Sequence, residues 1–176
     1  MLIDATRAGL LVIDVQTRLL PAIADGQGVL EQVMWLVRLA KRLGLPILAS
    51  EQYPQGLGAT CTELLAELPT GCVRAKTDFS CVAADCLDSE REQWILCGIE
   101  AHVCVLQTAL ELKATGREVF VVESAVGSRQ ASDKATALAR LRQHGIDIVS
   151  AEMVAFECMR TSKSPLFREI SREFLR

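Results

Sequence analysis

The chain reads as an α/β protein, a three-layer α/β/α arrangement around a mostly parallel six-stranded sheet. Three observations predict it. Short apolar runs recur along the chain, of the kind that forms strands buried on both faces. Segments with helical apolar spacing separate them, and Gly or polar turn residues punctuate the junctions. Strict alternation of the two patterns calls for parallel strands joined by crossover helices on both faces.

Taken in order, Leu10 to Asp14 is a buried strand ending in an acid, and Val15 to Pro21 leaves it as a loop. Val29 to Leu43 is an amphipathic helix with Leu30, Val33, Met34, Val37 and Ala40 on one face, closed by Gly44. Pro46 to Ser50 is the second strand, followed by the polar, glycine-rich loop Glu51 to Gly58 and a short helix over Thr62 to Glu67. Cys72 to Lys76 is the third strand, ending in a base, and a helix is expected near Ala83 to Glu90. Gln93 to Cys97 is the fourth strand, ended by Gly98. Its helix runs from Val103 to Thr115, which places Cys104 at or near the first turn. Glu118 to Ser124 is the fifth strand, Ser132 to Gln143 a helix, and Ile146 to Val149 the sixth strand. Helical turns around Glu152 to Arg160 and Leu166 to Phe174 complete a single domain covering 1–176.

Bulk properties exclude several classes. A chain of 176 residues, half of them hydrophobic, can bury a real core. The net charge of −3 and the scattered basic residues give no footprint for nucleic acid. Seven cysteines without a CxxC pair argue against a disulfide framework or a zinc ribbon and for a reducing, cytoplasmic setting. No apolar run approaches the roughly 18 residues of a membrane helix, and the first residues do not read as a secretory signal.

Asp14, Lys76 and Cys104 lie at or just past strand ends, on one edge of a parallel sheet. A carboxylate can accept the thiol proton, and an ammonium can stabilise the thiolate and a later negative intermediate. A cysteine in a first helical turn also meets free N–H groups and a partial positive charge, so the expectation is that Lys76 and the helix outweigh Asp14 and favour the thiolate. The other six cysteines read as structural.

The segments Leu-Val-Ile-Asp14-Val-Gln, Lys76-Thr-Asp-Phe79 and Gly98-Ile-Glu-Ala-His-Val-Cys104-Val together resemble the isochorismatase-like cysteine hydrolase family. The branch of isochorismatase domain-containing proteins also carries the pattern seen at Glu51 to Gly58. The resemblance runs from Leu10 to about Val149. It implies the Rossmann-like isochorismatase-like hydrolase fold, with strand order 3-2-1-4-5-6, and puts the catalytic triad on Asp14, Lys76 and Cys104. It also implies a cis peptide bond joining Ile99 to Glu100, with the N–H groups of Glu100 and Cys104 as the oxyanion hole.

The departures from the family pattern are equally informative. Metal-binding members carry an Asp-x-His cluster after the second strand, whereas Glu51 to Gly58 has no histidine, so no metal and no cofactor are expected. Members that cleave isochorismate lack the cysteine, so Cys104 argues for attack on a small amide, carbamoyl or ester substrate. Where a Thr-Asp or Asp-Thr pair is usual, this chain has Ala101-His102. Leu19, Leu20, Tyr53, Phe79 and His102 are the candidate pocket residues. Two alternatives stand beside the hydrolase: an idle binding or scaffolding member, and a redox-responsive thiol protein with Cys97 as resolving partner. The apolar tail residues Phe156, Met159, Phe167, Ile170 and Phe174 suggest a homo-oligomer.

Overall fold

In the computed structural model, which describes residues 1–87 and 90–175, the first strand, β1 (Ala8–Ile13), is buried throughout. Its side chains alternate between two cores, as the pleat requires. Leu10 and Val12 face one core, and Leu11 and Ile13 the other. The chain continues through a 3₁₀ turn (Leu20–Ala22), α1 (Gly26–Leu43), β2 (Ile47–Gln52), α2 (Pro54–Leu57), α3 (Thr62–Glu67) and β3 (Val73–Lys76). Then follow β4 (Gln93–Ile99), a π-helical turn (Ala101–Val105), α4 (Leu106–Ala114), β5 (Glu118–Gly127), α5 (Ala131–Gln143), β6 (Asp147–Val149), α6 (Ala151–Met159) and α7 (Phe167–Phe174).

The sheet has six strands in the order β3-β2-β1-β4-β5-β6, every pair parallel. The α1, α6 and α7 side buries Val33, Val37, Cys97, Phe120 and Ile170. The α4 and α5 side buries Trp94, Leu96, Cys104, Leu112 and Leu141. Each fully buried Leu, Ile or Val contributes about 1.5–3 kcal/mol relative to exposure, so covering both faces is the main stabilising effect. The order reverses between β1 and β4, where the connections diverge to opposite faces and open a crevice at the carboxyl ends of the strands.

Three expectations are corrected. Gly98 does not end β4; it lies inside the strand with φ 117°, and a Cβ there would sit 2.0 Å from the Ile13 carbonyl oxygen. Only glycine lets β4 press this closely on β1, one residue before Asp14. The helix expected near Ala83 to Glu90 is a series of turns from Cys81 to Asp85, because Asp85 takes a left-handed φ of 52°; Asp88 and Ser89 lie outside the described residues. Cys104, expected at or near the first turn of a helix, lies in the wider π-helical turn that leads into α4. The tail needs no second subunit to cover its main apolar face. Ile170 and Phe174 are buried in the chain's own core, and the Phe174 ring meets Trp35 edge-on at 5.3 Å. Phe156 and Met153 remain exposed.

Candidate active site

Asp14 follows β1 with a left-handed φ of 54°, a conformation Asp adopts more readily than most residues. Its N–H donates to the Ser50 carbonyl at 3.1 Å, and Ser50 Oγ donates to its Oδ1 at 2.7 Å. Lys76, two strands away on β3, stands opposite Gln52 in the β2–β3 register. Its stem crosses the end of β2 and brings Nζ to 2.8 Å from Asp14 Oδ2. The ammonium also donates to Gln52 Oε1 at 2.7 Å and to the carbonyls of Phe79 and Asp78 at 3.1 and 3.3 Å. Both side chains of the ion pair have 0% exposure. Desolvating two charges costs several kcal/mol each, so the pair persists only because each partner neutralises the other and the remaining donors and acceptors are filled.

The Cys104 thiol lies close enough to Asp14 and Lys76 for both charges to act on it, and is itself 5% exposed. Burial pushes it up to about 12, Asp14 adds to the rise, and Lys76 opposes it. The expected thiolate is thus corrected. Desolvation of the sulfur and repulsion by the carboxylate outweigh the ammonium, and the resting group is a thiol. Burial also pulls on Lys76, in the direction of the neutral amine, but Asp14 holds its affinity for the proton above the ordinary lysine value.

The Ile99–Glu100 peptide bond is cis. The Glu100 carboxylate is almost wholly buried and accepts from Arg129 N and Nε at 3.1 and 2.9 Å, which ties the turn before Cys104 to the loop after β5. His102 is turned away from Cys104. Its Nδ1 is 2.9 Å from Ser128 Oγ, and its Nε2 is 3.9 Å from Asp133 Oδ2. Tyr53 and Phe79 are 55% and 51% exposed, and Tyr53 lines an open depression of about 280 Å³ with Ala75, Lys76 and Asp78. Leu19 and Leu20 are partly buried against the α1 core. Glu51 spends its carboxylate on Thr60, accepting from N and Oγ1 at 2.7 Å. Among the described residues, no three of His, Cys, Asp and Glu are grouped to hold a metal ion.

Sequence reasoning missed the groups that hold the ion pair. Ser50 and Gln52 sit on one strand, and Gln16 braces Gln52 by accepting from its N–H at 2.8 Å and donating to its carbonyl at 3.0 Å. The readable signal was polar residues at the end of an apolar strand, Ser50 and Gln52, and Gln16 two residues after the acid. Also missed were Cys81 and Cys86, which share the Cys104 face of the sheet, while Cys97 lies on the other face and cannot resolve a Cys104 disulfide.

Residues 8–153 match the isochorismatase domain. Isochorismatase domain-containing protein 2 of Danio rerio is 37% identical over 168 residues, covering 93% of this chain and 84% of the relative. Isochorismatase domain-containing protein 2A of Mus musculus is 38% identical over 169 residues, covering 93% and 80%. Among solved structures, the MAR1 ribonuclease of Caenorhabditis elegans superposes with a TM-score of 0.93 at 33% identity, covering 100% of this chain and 93% of that one. The YcaC gene product of Escherichia coli, an octameric hydrolase of unknown specificity, superposes at 0.90 with 24% identity, covering 99% and 92%. With the sheet order, the strand-end residues and these relatives in agreement, the chain belongs to the isochorismatase domain family, whose fold is hydrolase-like.

Proposed function

We propose that the chain is a cysteine hydrolase of a small amide, carbamoyl or ester substrate, with Asp14, Lys76 and Cys104 as its triad. The observation that carries this reading is the fully buried Asp14–Lys76 ion pair with the Cys104 thiol against it. A chain that needed only stability would do as well with apolar residues of similar volume at these positions.

Because the resting sulfur is protonated, attack requires a proton acceptor, and Asp14 fills that role. Its Oδ1 and Oδ2 each accept one hydrogen bond from Ser50 and Lys76, which leaves lone pairs for the thiol proton. The sulfur attacks the carbonyl carbon, and the oxyanion is received by the N–H groups of Glu100 and Cys104. Lys76 offsets the negative charge that passes between sulfur, carboxylate and oxyanion. Asp14 returns its proton to the leaving amine or alcohol, and then takes one from the water that resolves the acyl-cysteine. Tyr53 and Phe79 form the rim, and Leu19, Leu20 and His102 shape the loops behind it. The reading contains no metal step, since Glu51 is committed to Thr60, so a chelator is expected to leave turnover unchanged. The substrate is a small molecule rather than nucleic acid or membrane, in line with the net charge of −3. The setting is cytoplasmic, and the chain self-associates through the face carrying Phe156 and Met153.

The 5% exposure of Cys104 favours a second reading, a member that binds without turnover. A screen of small amides, carbamoyl compounds and esters, with RNA as a further arm, separates the two. Turnover by the parent, absent in Cys104→Ala, supports the hydrolase. Binding without turnover supports the second reading. RNA cleavage unaffected by Cys104→Ala contradicts both.

A further inference from the structure

Beside the triad lies a second pair of thiols. Cys81 and Cys86 are both buried, at 0% and 4% exposure, on the same side of the sheet as Cys104. The Cys86 N–H donates to the Cys81 carbonyl at 2.9 Å. A backbone hydrogen bond of that length keeps two Cα atoms within about 6.8 Å, inside the range that a disulfide spans. The Cys86 thiol donates to the Ala84 carbonyl at 3.9 Å, inside the same turn. The segment between them, Val82 to Asp85, is a turn whose Ala83 and Asp85 are exposed, so Cys86 lies directly under the surface. The thiols differ in character. The neighbouring Cys81 thiol and the nearby Lys76 ammonium pull Cys86 below an ordinary cysteine, while the neighbouring Cys86 and burial push Cys81 up. That is the division of labour of an attacking and a resolving thiol.

We propose that Cys81 and Cys86 form a redox-active dithiol that hydrogen peroxide converts into an intramolecular disulfide. The Cys86 thiolate attacks one peroxide oxygen; an S–O bond forms, the O–O bond breaks, and the departing hydroxide takes up a proton as water. The Cys81 sulfur then attacks the Cys86 sulfenic acid. An S–S bond forms, the S–O bond breaks, and the leaving hydroxide carries off the Cys81 proton as a second water. Two thiols are oxidised and one peroxide is reduced. The bond also touches the triad, because Cys81 Sγ donates to Ser50 Oγ at 3.4 Å and Ser50 donates to Asp14. Oxidation removes that S–H. A reversible fall in turnover on oxidation would follow, a consequence that rests on the hydrolase reading, whereas the disulfide itself does not.

The test uses the full chain. It is treated with hydrogen peroxide, blocked with N-ethylmaleimide and digested with trypsin, which releases both cysteines on one peptide, Thr77 to Arg91. The expected result is loss of both maleimide adducts from that peptide with a mass lower by two hydrogens, restored by dithiothreitol. Cys104→Ala should give the same result, and Cys86→Ser should leave Cys81 labelled. Because the first variant removes the proposed hydrolytic nucleophile, failure of the dithiol and failure of the hydrolase are separately visible. Should Cys86→Ser not fold, phenylarsine oxide, which bridges paired thiols, is expected to protect both cysteines of the parent from maleimide. The proposal is overturned if both cysteines stay labelled after peroxide, if Cys81 links instead to Cys104, or if phenylarsine oxide leaves both open.

Discussion

The parallel sheet carries charged clusters at both ends, and they obey different rules. At the amino end, Arg7 lies 2.5 Å from Glu92 and 3.1 Å from Glu118, with side-chain exposures of 38%, 66% and 24%. Water screens those charges, and such pairs contribute little. At the carboxyl end, Lys76 and Asp14 are 2.8 Å apart at 0% exposure, with Ser50, Gln52 and two carbonyls closing the shell. The first cluster decorates a surface. The second keeps a charge pair where solvation opposes it, next to a thiol, and burial rather than the number of ion pairs makes it the candidate site.

Breaking the buried pair gives the largest expected effect. Lys76→Met leaves the Asp14 carboxylate buried without its cation and should lower stability by about 3–5 kcal/mol in urea unfolding. Adding Asp14→Asn should recover much of that loss, because the double variant carries no buried charge. A single variant as stable as the parent would contradict the desolvated pair.

The next effect is on the sulfur. Alkylation of Cys104 by iodoacetamide should climb with pH toward about 12 without a plateau near neutrality. Asp14→Asn should speed it, because the carboxylate is one of the causes that raise the thiol; a one-unit drop is about tenfold in thiolate. Neutral-pH alkylation of Cys104 ahead of Cys86, read by peptide mass spectrometry, would reverse the assignment.

Smaller still is the alkaline dependence of stability. Cys104 is raised in the fold from the ordinary cysteine value of 9.0 to about 12, so the unfolded chain loses this proton first. Its contribution is complete below about 9 and is lost as pH rises to about 12. Lys76, raised from 10.5, adds a loss of the same sign at higher pH. Burial raises Cys61, Cys72, Cys97 and Cys158 in the same direction, so Cys104→Ala should make the decline shallower without abolishing it; an unchanged profile would show that Cys104 takes no part. The smallest effect belongs to the amino end. Arg7→Ala should shift the urea midpoint little, and the shift should vanish at high salt. A large, salt-resistant loss would erase the contrast between the two ends.

How much was legible follows from the range of each force. Strand and helix order could be read because burial on two faces stamps a period on the chain, and Asp14 and Lys76 stood out because each interrupts an apolar run. The protonation of Cys104 was not legible, since it depends on how deeply the fold buries the sulfur. Cys81 and Cys86 were missed because their turn has no period and meets the site only through tertiary contacts. The tail was misjudged for a related reason: Phe174 finds Trp35 on α1, far away in sequence.

The most direct test of the central claim is the mass of the protein after brief exposure to an activated ester such as p-nitrophenyl acetate. One acetyl group is expected on Cys104 in the parent, none at that position in Cys104→Ala, and a much slower appearance in Asp14→Asn. Acetylation confined to other residues, or equal in the parent and Cys104→Ala, would contradict it.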